Sequence, residues 1–172
     1  MLKIMPTLLQ LGCPCSDHGL CCPTPTVKDR SLELINNIRA NYGAMALKWN
    51  PLFAMDAVAP TMFYYSVTPT TTSPLVDAVS KWASTSSNYD FGNPGIVKTV
   101  ASFTQLVWKS STHVGCAWTT CKIGTIDPTR ESTLVVCKFS PGGNTRSKIA
   151  AGMPDPFFAS NVGNPPVVQN RS

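Results

Sequence analysis

Apolar positions recur with helical spacing most clearly in "TVKDRSLELINNIRANYG", where Val27, Leu34, Ile35, Ile38 and Tyr42 stand roughly three, four or seven residues apart. A Thr26-x-x-Asp29 capping pattern opens this stretch, and Gly43 sits where a helix would stop. "NPLFAMDAVAP" predicts a second helix that Pro60 cuts short. "SPLVDAVSKWAS" predicts a third, with Pro74 near its start and Leu75, Val79 and Trp82 on one face. "FTQLVWKS" is apolar enough for helix or strand. "HVGCAWTT" and "STLVVCKFS" read as strands joined through the turn-prone "KIGTIDPTRE". Residues 1–25 show no periodicity and read as a Cys/Pro-rich arm. From Pro141 the chain turns rich in Pro, Gly and Asn and reads as an irregular surface wrap. Helices first and strands after imply an α+β or layered sandwich domain.

Composition narrows the function classes. The 172 residues suit one domain with a core of its own, and 13% charged against 43% apolar residues suits a compact, loop-rich protein. A net charge of +5, without Lys/Arg runs interleaved with aromatics, gives no nucleic-acid signature. Seven cysteines, four of them crowded in "CPCSDHGLCC", point to disulfides and an oxidising compartment. Lys3 followed by "IMPTLLQLG" has the outline of a signal segment, although Pro6 and the lack of a small-residue cleavage site count against it. No segment reaches the roughly 20 apolar residues needed to span a bilayer. The "CPC…H…CC" spacing fits no standard zinc pattern, so disulfides are the expected state of Cys13, Cys15, Cys21 and Cys22.

"FTQLVWKSSTHVGCAW" and "LVVCKFSPGGN" closely resemble the two signature blocks of the CAP superfamily of cysteine-rich secretory proteins, antigen 5 and plant pathogenesis-related class 1 proteins (the SCP domain). "IRANYGAMALKWN" resembles its first-helix block, with Arg39, Gly43, Leu47 and Trp49 in register, and "AVSKW" and "YDFGNPG" match two further landmarks. Five blocks fall in order over residues 28–145, in an aromatic- and threonine-rich style most like fungal members. The resemblance implies a three-layer α-β-α sandwich with a short antiparallel sheet between helices. It places a CAP domain over residues 26–145 and a tail over 146–172. It also implies a secreted, non-enzymatic protein and a Cys116–Cys137 disulfide, whose loop of about twenty residues would stabilise by roughly 3 kcal/mol. Cys121 is expected to be free or paired with one of the four N-terminal cysteines, because the usual partner on the second helix is missing.

Family members gather two histidines and two glutamates around a divalent metal. Carried onto this chain, three of those positions are Ile35, Thr85 and Ser102, and the Gly-Glu-Asn-Leu block that supplies the fourth ligand is absent, with "TMFYYSV" in its neighbourhood. An isoleucine and two hydroxyls offer no thiolate, imidazole or carboxylate, so no metal or other cofactor is expected. Ser102 as a nucleophile lacks a base and an orienting acid, and His113 falls at a variable, surface position.

Two lipid sites recur in the family: an apolar groove between helices that takes fatty acids, and an aromatic loop implicated in sterol binding. The resemblance maps them to the Ile35/Ile38 stripe and to Phe63, Tyr64 and Tyr65. At about 25 cal/mol per Å², a partly covered sterol would gain several kcal/mol. Core packing is the plainer role for both sets. The resulting expectation is a monomeric, secreted carrier of a sterol or fatty acid. The alternative is a secreted effector or allergen-like protein that acts on a membrane or host-protein surface. In the opening signature block, Phe103, Leu106, Val107 and Trp108 are expected in the core, with Gln105 and Ser111 satisfying backbone groups.

Overall fold

The computed structural model describes residues 24–54, 61–66, 73–148, 150 and 153–165, with the backbone alone described at residue 54 and over 61–66. The element order is α1 (Pro25–Asn41), β1 (Lys48–Trp49), a 3-10 turn (Pro51–Ala54), β2 (Thr61–Ser66), α2 (Pro74–Ser84), α3 (Ala101–Leu106), β3 (His113–Cys121), β4 (Ser132–Ser140) and α4 (Pro156–Asn161).

The helix α1 starts two residues earlier than the Thr26-x-x-Asp29 pattern predicts. Thr24 is the N-cap, its side chain accepting from the Val27 N–H at 3.4 Å, and Pro25 fills the first helical position, where no N–H is needed. Gly43 follows the helix with φ +66°, a conformation that costs glycine little. α2 begins as its sequence predicts, with Ser73 as N-cap and Pro74 behind it, and buries Leu75, Ala78, Val79 and Trp82. The ambiguous "FTQLVWKS" resolves as the helix α3. Of the expected second helix, the turn Pro51–Ala54 is described, and its remainder lies outside the described residues.

β3 and β4 form the predicted antiparallel pair, with Cys116 directly opposite Cys137. The sheet is nevertheless mixed, in the order β1-β3-β4-β2, because β1 joins β3 in parallel while β2 joins β4 antiparallel. The two residues of β1 were too few to register as a strand in the sequence. A second correction concerns "TMFYYSV", expected as a flexible aromatic loop. Thr61–Ser66 is a strand paired along its whole length with β4, Phe63 opposite Val136, Tyr64 opposite Val135 and Tyr65 opposite Leu134. Its β-branched and aromatic composition suits a pleated surface.

One face of the sheet presents Val114, Cys116, Val135, Cys137 and Phe139 to Ile35 of α1, to Leu75, Val79 and Trp82 of α2 and to Leu106 of α3. The other face buries Ala117, Thr119, Cys121, Leu134 and Val136 and carries the Pro51–Ala54 turn. This is an α+β, three-layer arrangement of the expected kind.

The C-terminal segment departs from the irregular wrap. Asp155 caps α4, and Phe158 and Val162 enter a second core with Tyr89, Val100, Phe103, Val107 and Trp108. The Trp108 and Phe158 rings meet edge to face at 5.0 Å. Gly163 lies so close to the Tyr42 carbonyl that no side chain would fit there. Asp155 fastens the segment. Burial works to raise its carboxyl, but hydrogen bonds from the Ser147 hydroxyl and the N–H groups of Ser147, Phe157 and Phe158 outweigh this and hold it below the ordinary 3.8. A folded pKa below the unfolded one contributes stability while the group is ionised and loses it as pH falls through the folded value. Acidification below about pH 3.8 is therefore expected to loosen the docked tail, raising hydrogen exchange at the Val162 amide, which bonds the Phe158 carbonyl at 2.8 Å. In Asp155→Asn the same looseness should already be present at neutral pH. A Val162 amide equally protected in both proteins across the acid range would refute this role.

Candidate functional site

The signature blocks converge on one buried cation. Arg39, with no exposed surface, crosses from α1 to the chain leaving α3. Its Nε donates to the Met45 carbonyl at 2.8 Å, Nη1 to Leu106 and Trp108 at 2.9 and 3.0 Å, and Nη2 to Ser111 at 3.0 Å. All four acceptors are main-chain carbonyls. Burial lowers its pKa to about 10, which leaves it charged at neutral pH. The flat five-donor guanidinium suits this work, since it can tie several carbonyls of different strands of chain at once.

A second set of bonds joins "FTQLVWKSS" to "SPGGN". The Gly143 N–H donates to Gln105 Oε1 at 2.7 Å, Gln105 Nε2 to Ser111 Oγ at 3.2 Å, and Ser111 Oγ to the Pro141 carbonyl at 2.7 Å. Thr104 Oγ1 donates to Asn144 Oδ1 at 2.6 Å, and Asn144 Nδ2 to the Ala101 carbonyl at 2.8 Å. Gly143 must be glycine, because a Cβ there would stand 2.5 Å from Trp108 Cγ. Phe103, Leu106, Val107 and Trp108 are buried, and Gln105 and Ser111 bond backbone as their sequence positions predict. The block is framework. Every polar group just named is bonded within the chain.

The family's metal positions are occupied by side chains that do not fit an ion. Ile35 is fully buried between α2 and the sheet, an apolar group among apolar groups. Thr85 spends its hydroxyl on the Trp82 carbonyl at 2.8 Å. Ser102 lies half-buried in the first turn of α3. Among the described residues, no three His, Cys, Asp or Glu side chains stand together. His113, half-buried at the head of β3, meets Thr112 Oγ1 through Nδ1 at 2.9 Å.

Cys116 and Cys137 form a disulfide across neighbouring strands, with Cα atoms 4.1 Å apart. Cys121 is disulfide-bonded too.

An open groove of about 340 Å³ runs between α1 and α2. Val27, Leu34 and Val76 form its apolar floor, and Arg30, Glu33, Asn37 and Ser73 supply its polar edges. The α1 positions singled out from the sequence lie elsewhere on the helix: Ile35 faces the core, and Ile38 is part-buried between the two clusters. Leu34, beside Ile35 in the same periodic stripe, was the visible signal for the groove, since a stripe that is wider than its core contact must leave an edge open. Phe63, Tyr64 and Tyr65 lie on β2, and the structure describes their backbone alone.

The family model for the cysteine-rich secretory protein (CAP) family matches residues 55–139. Fruiting body protein SC7 of Schizophyllum commune is 28% identical over 159 residues, covering 81% of this chain and 74% of that protein. Pathogenesis-related protein 1 of Arabidopsis thaliana is 32% identical over 69 residues, which is 40% of this chain and 38% of that protein. The crystal structure of Hookworm Platelet Inhibitor superposes with a TM-score of 0.59 at 15% identity, over 88% of this chain and 82% of that one, and so shares its fold. The chain belongs to the CAP family, whose members include pathogenesis-related proteins of plants and fungi.

Proposed function

We propose that this protein is a secreted, non-catalytic lipid carrier that takes the hydrocarbon of a fatty acid or sterol into the α1–α2 groove. The groove itself is the observation that carries the reading. Its 340 Å³ falls within the range of small-molecule clefts, about 300–1,000 Å³, and it pairs an apolar floor with a few polar groups at the rim. Arg30 offers a cation to a carboxylate, and Ser73 and Asn37 offer hydrogen-bonding groups to a hydroxyl. The absence of a free polar constellation in the signature block favours binding over catalysis. Disulfides at Cys116, Cys121 and Cys137 suit an oxidising compartment, in keeping with a family of secreted proteins.

The test is a titration of the purified full chain with radiolabelled palmitate and, separately, cholesterol. Saturable binding of at least one is expected, weakened roughly tenfold or more by Val76→Asp, because the added carboxylate must be desolvated beneath the ligand. Val76 is part-buried at the groove, so the variant should fold, and an unchanged melting temperature checks that it does. Tyr64→Ala and Tyr65→Ala probe the aromatic strand in the same assay. Failure of both lipids to bind would shift the reading to an interaction protein that acts through its surface.

A further inference from the structure

Three segments of chain meet at Asp155. Its N–H donates to the Pro94 carbonyl at 2.7 Å, and its carboxylate accepts from the Ser147 N–H at 3.0 Å, the Ser147 hydroxyl at 2.7 Å and the Phe157 N–H at 2.9 Å. The junction thereby ties together three segments whose neighbouring residues include exposed apolar side chains. Ile96 and Val97 follow Pro94 and are 38% and 47% exposed, while Met153 and Phe157 flank Asp155 at 64% and 48%. Phe158 is anchored in the core, so its helix holds Phe157 outward. The same segments carry three exposed cations, Lys98 next to Val97 and Arg146 and Lys148 on either side of Ser147. Among the described residues, none of the three cations is in an ion pair. The nearby acids are engaged. The Asp155 carboxylate is buried, and Asp90 accepts from the N–H groups of Gly92 and Asn93.

Exposed apolar side chains on segments that also carry exposed cations match an anionic bilayer in both depth and charge. Burial of the former at the acyl boundary and attraction of the latter to headgroups add together. The whole chain's charge of +5 acts in the same direction. We propose that this junction docks the protein on anionic lipid membranes, with Ile96, Val97, Met153 and Phe157 entering the interface and Lys98, Arg146 and Lys148 meeting the headgroups. The surface is separate from the α1–α2 groove, so it can deliver or collect the groove's cargo without contributing to its binding.

Co-sedimentation of the full chain with phosphatidylcholine vesicles, with and without phosphatidylserine, tests the proposal. Binding is expected on the phosphatidylserine vesicles and loss of it at high salt. Lys98→Glu and Lys148→Glu are each expected to weaken binding about fivefold or more, the worth of one surface cation near a charged leaflet. Phe157→Ser should weaken it with an unchanged melting temperature, and Met153→Ser provides the same check away from α4. Equal partition onto neutral and anionic vesicles, or full binding by Phe157→Ser and Met153→Ser, would overturn the proposal. Sedimentation with neither vesicle would also overturn it and would assign the patch to a protein partner. Val76→Asp should bind vesicles like the parent, so failure of palmitate binding and failure of membrane docking are told apart.

Discussion

Arg39→Ala is expected to lower the melting temperature by about 8–16 °C, the equivalent of roughly 4 kcal/mol at about 2–4 °C per kcal/mol for a chain of this size. The substitution removes four charge-assisted hydrogen bonds and leaves the carbonyls of Met45, Leu106, Trp108 and Ser111 facing a void. Water entering the void can satisfy some of them, which keeps the cost below the sum of the parts. Arg39→Lys should recover little, because one ammonium cannot span the distance from Met45 to Ser111 as the planar guanidinium does. Differential scanning calorimetry of the two variants decides the matter. A shift under about 2 °C for Arg39→Ala would mean that the cation does not organise the signature blocks.

Phe158→Ala should cost about 3–4 kcal/mol, as truncation of a fully buried phenylalanine does elsewhere. The loss falls on the second core, where Phe158 meets Trp108 edge to face and packs with Val162. The C-terminal segment is then expected to undock as a unit, since its remaining hydrogen bonds to the body, among the described residues, are those of the Asp155 junction, the Asn161 side chain, which accepts from Ser110 N–H and hydroxyl at 3.0 and 2.6 Å, and the Asn161 carbonyl, which accepts from Lys109 N–H at 3.0 Å. A red shift of tryptophan emission would report Trp108 meeting water. Unchanged emission and an unchanged melting temperature would show that residues 156–162 only rest on the surface.

The large helices were legible in the sequence because their apolar spacing, and for α2 its proline near the start, agree with the final packing, and β3 and β4 because alternation and turn residues bounded them. What escaped reading has particular causes. Periodicity shows that α1 has an apolar stripe but not which edge the neighbouring helix leaves open, so Ile35 was proposed for the groove while Leu34 and Val27 line it. β2 depends on pairing with β4 far along the chain, and nothing local distinguishes such a strand from an aromatic loop. α4 is six residues long, too short for periodicity, though Asp155-Pro156 is an N-cap followed by a proline at the first helical position and could have announced it. The role of Arg39 was hidden because a charged residue within a helix reads as solvent-facing unless its acceptors are known.

Taken residue by residue, the positions where the family holds an ion have been given to a core isoleucine, to Thr85, whose hydroxyl bonds the Trp82 carbonyl, and to Ser102, while an apolar groove stays open between α1 and α2. Native mass spectrometry of the purified protein after incubation with equimolar palmitate and zinc tests this directly. The account predicts one fatty-acid mass per chain, lost in Val76→Asp, and no retained zinc. A species that keeps zinc, or one that carries palmitate equally well with Val76→Asp, would contradict it.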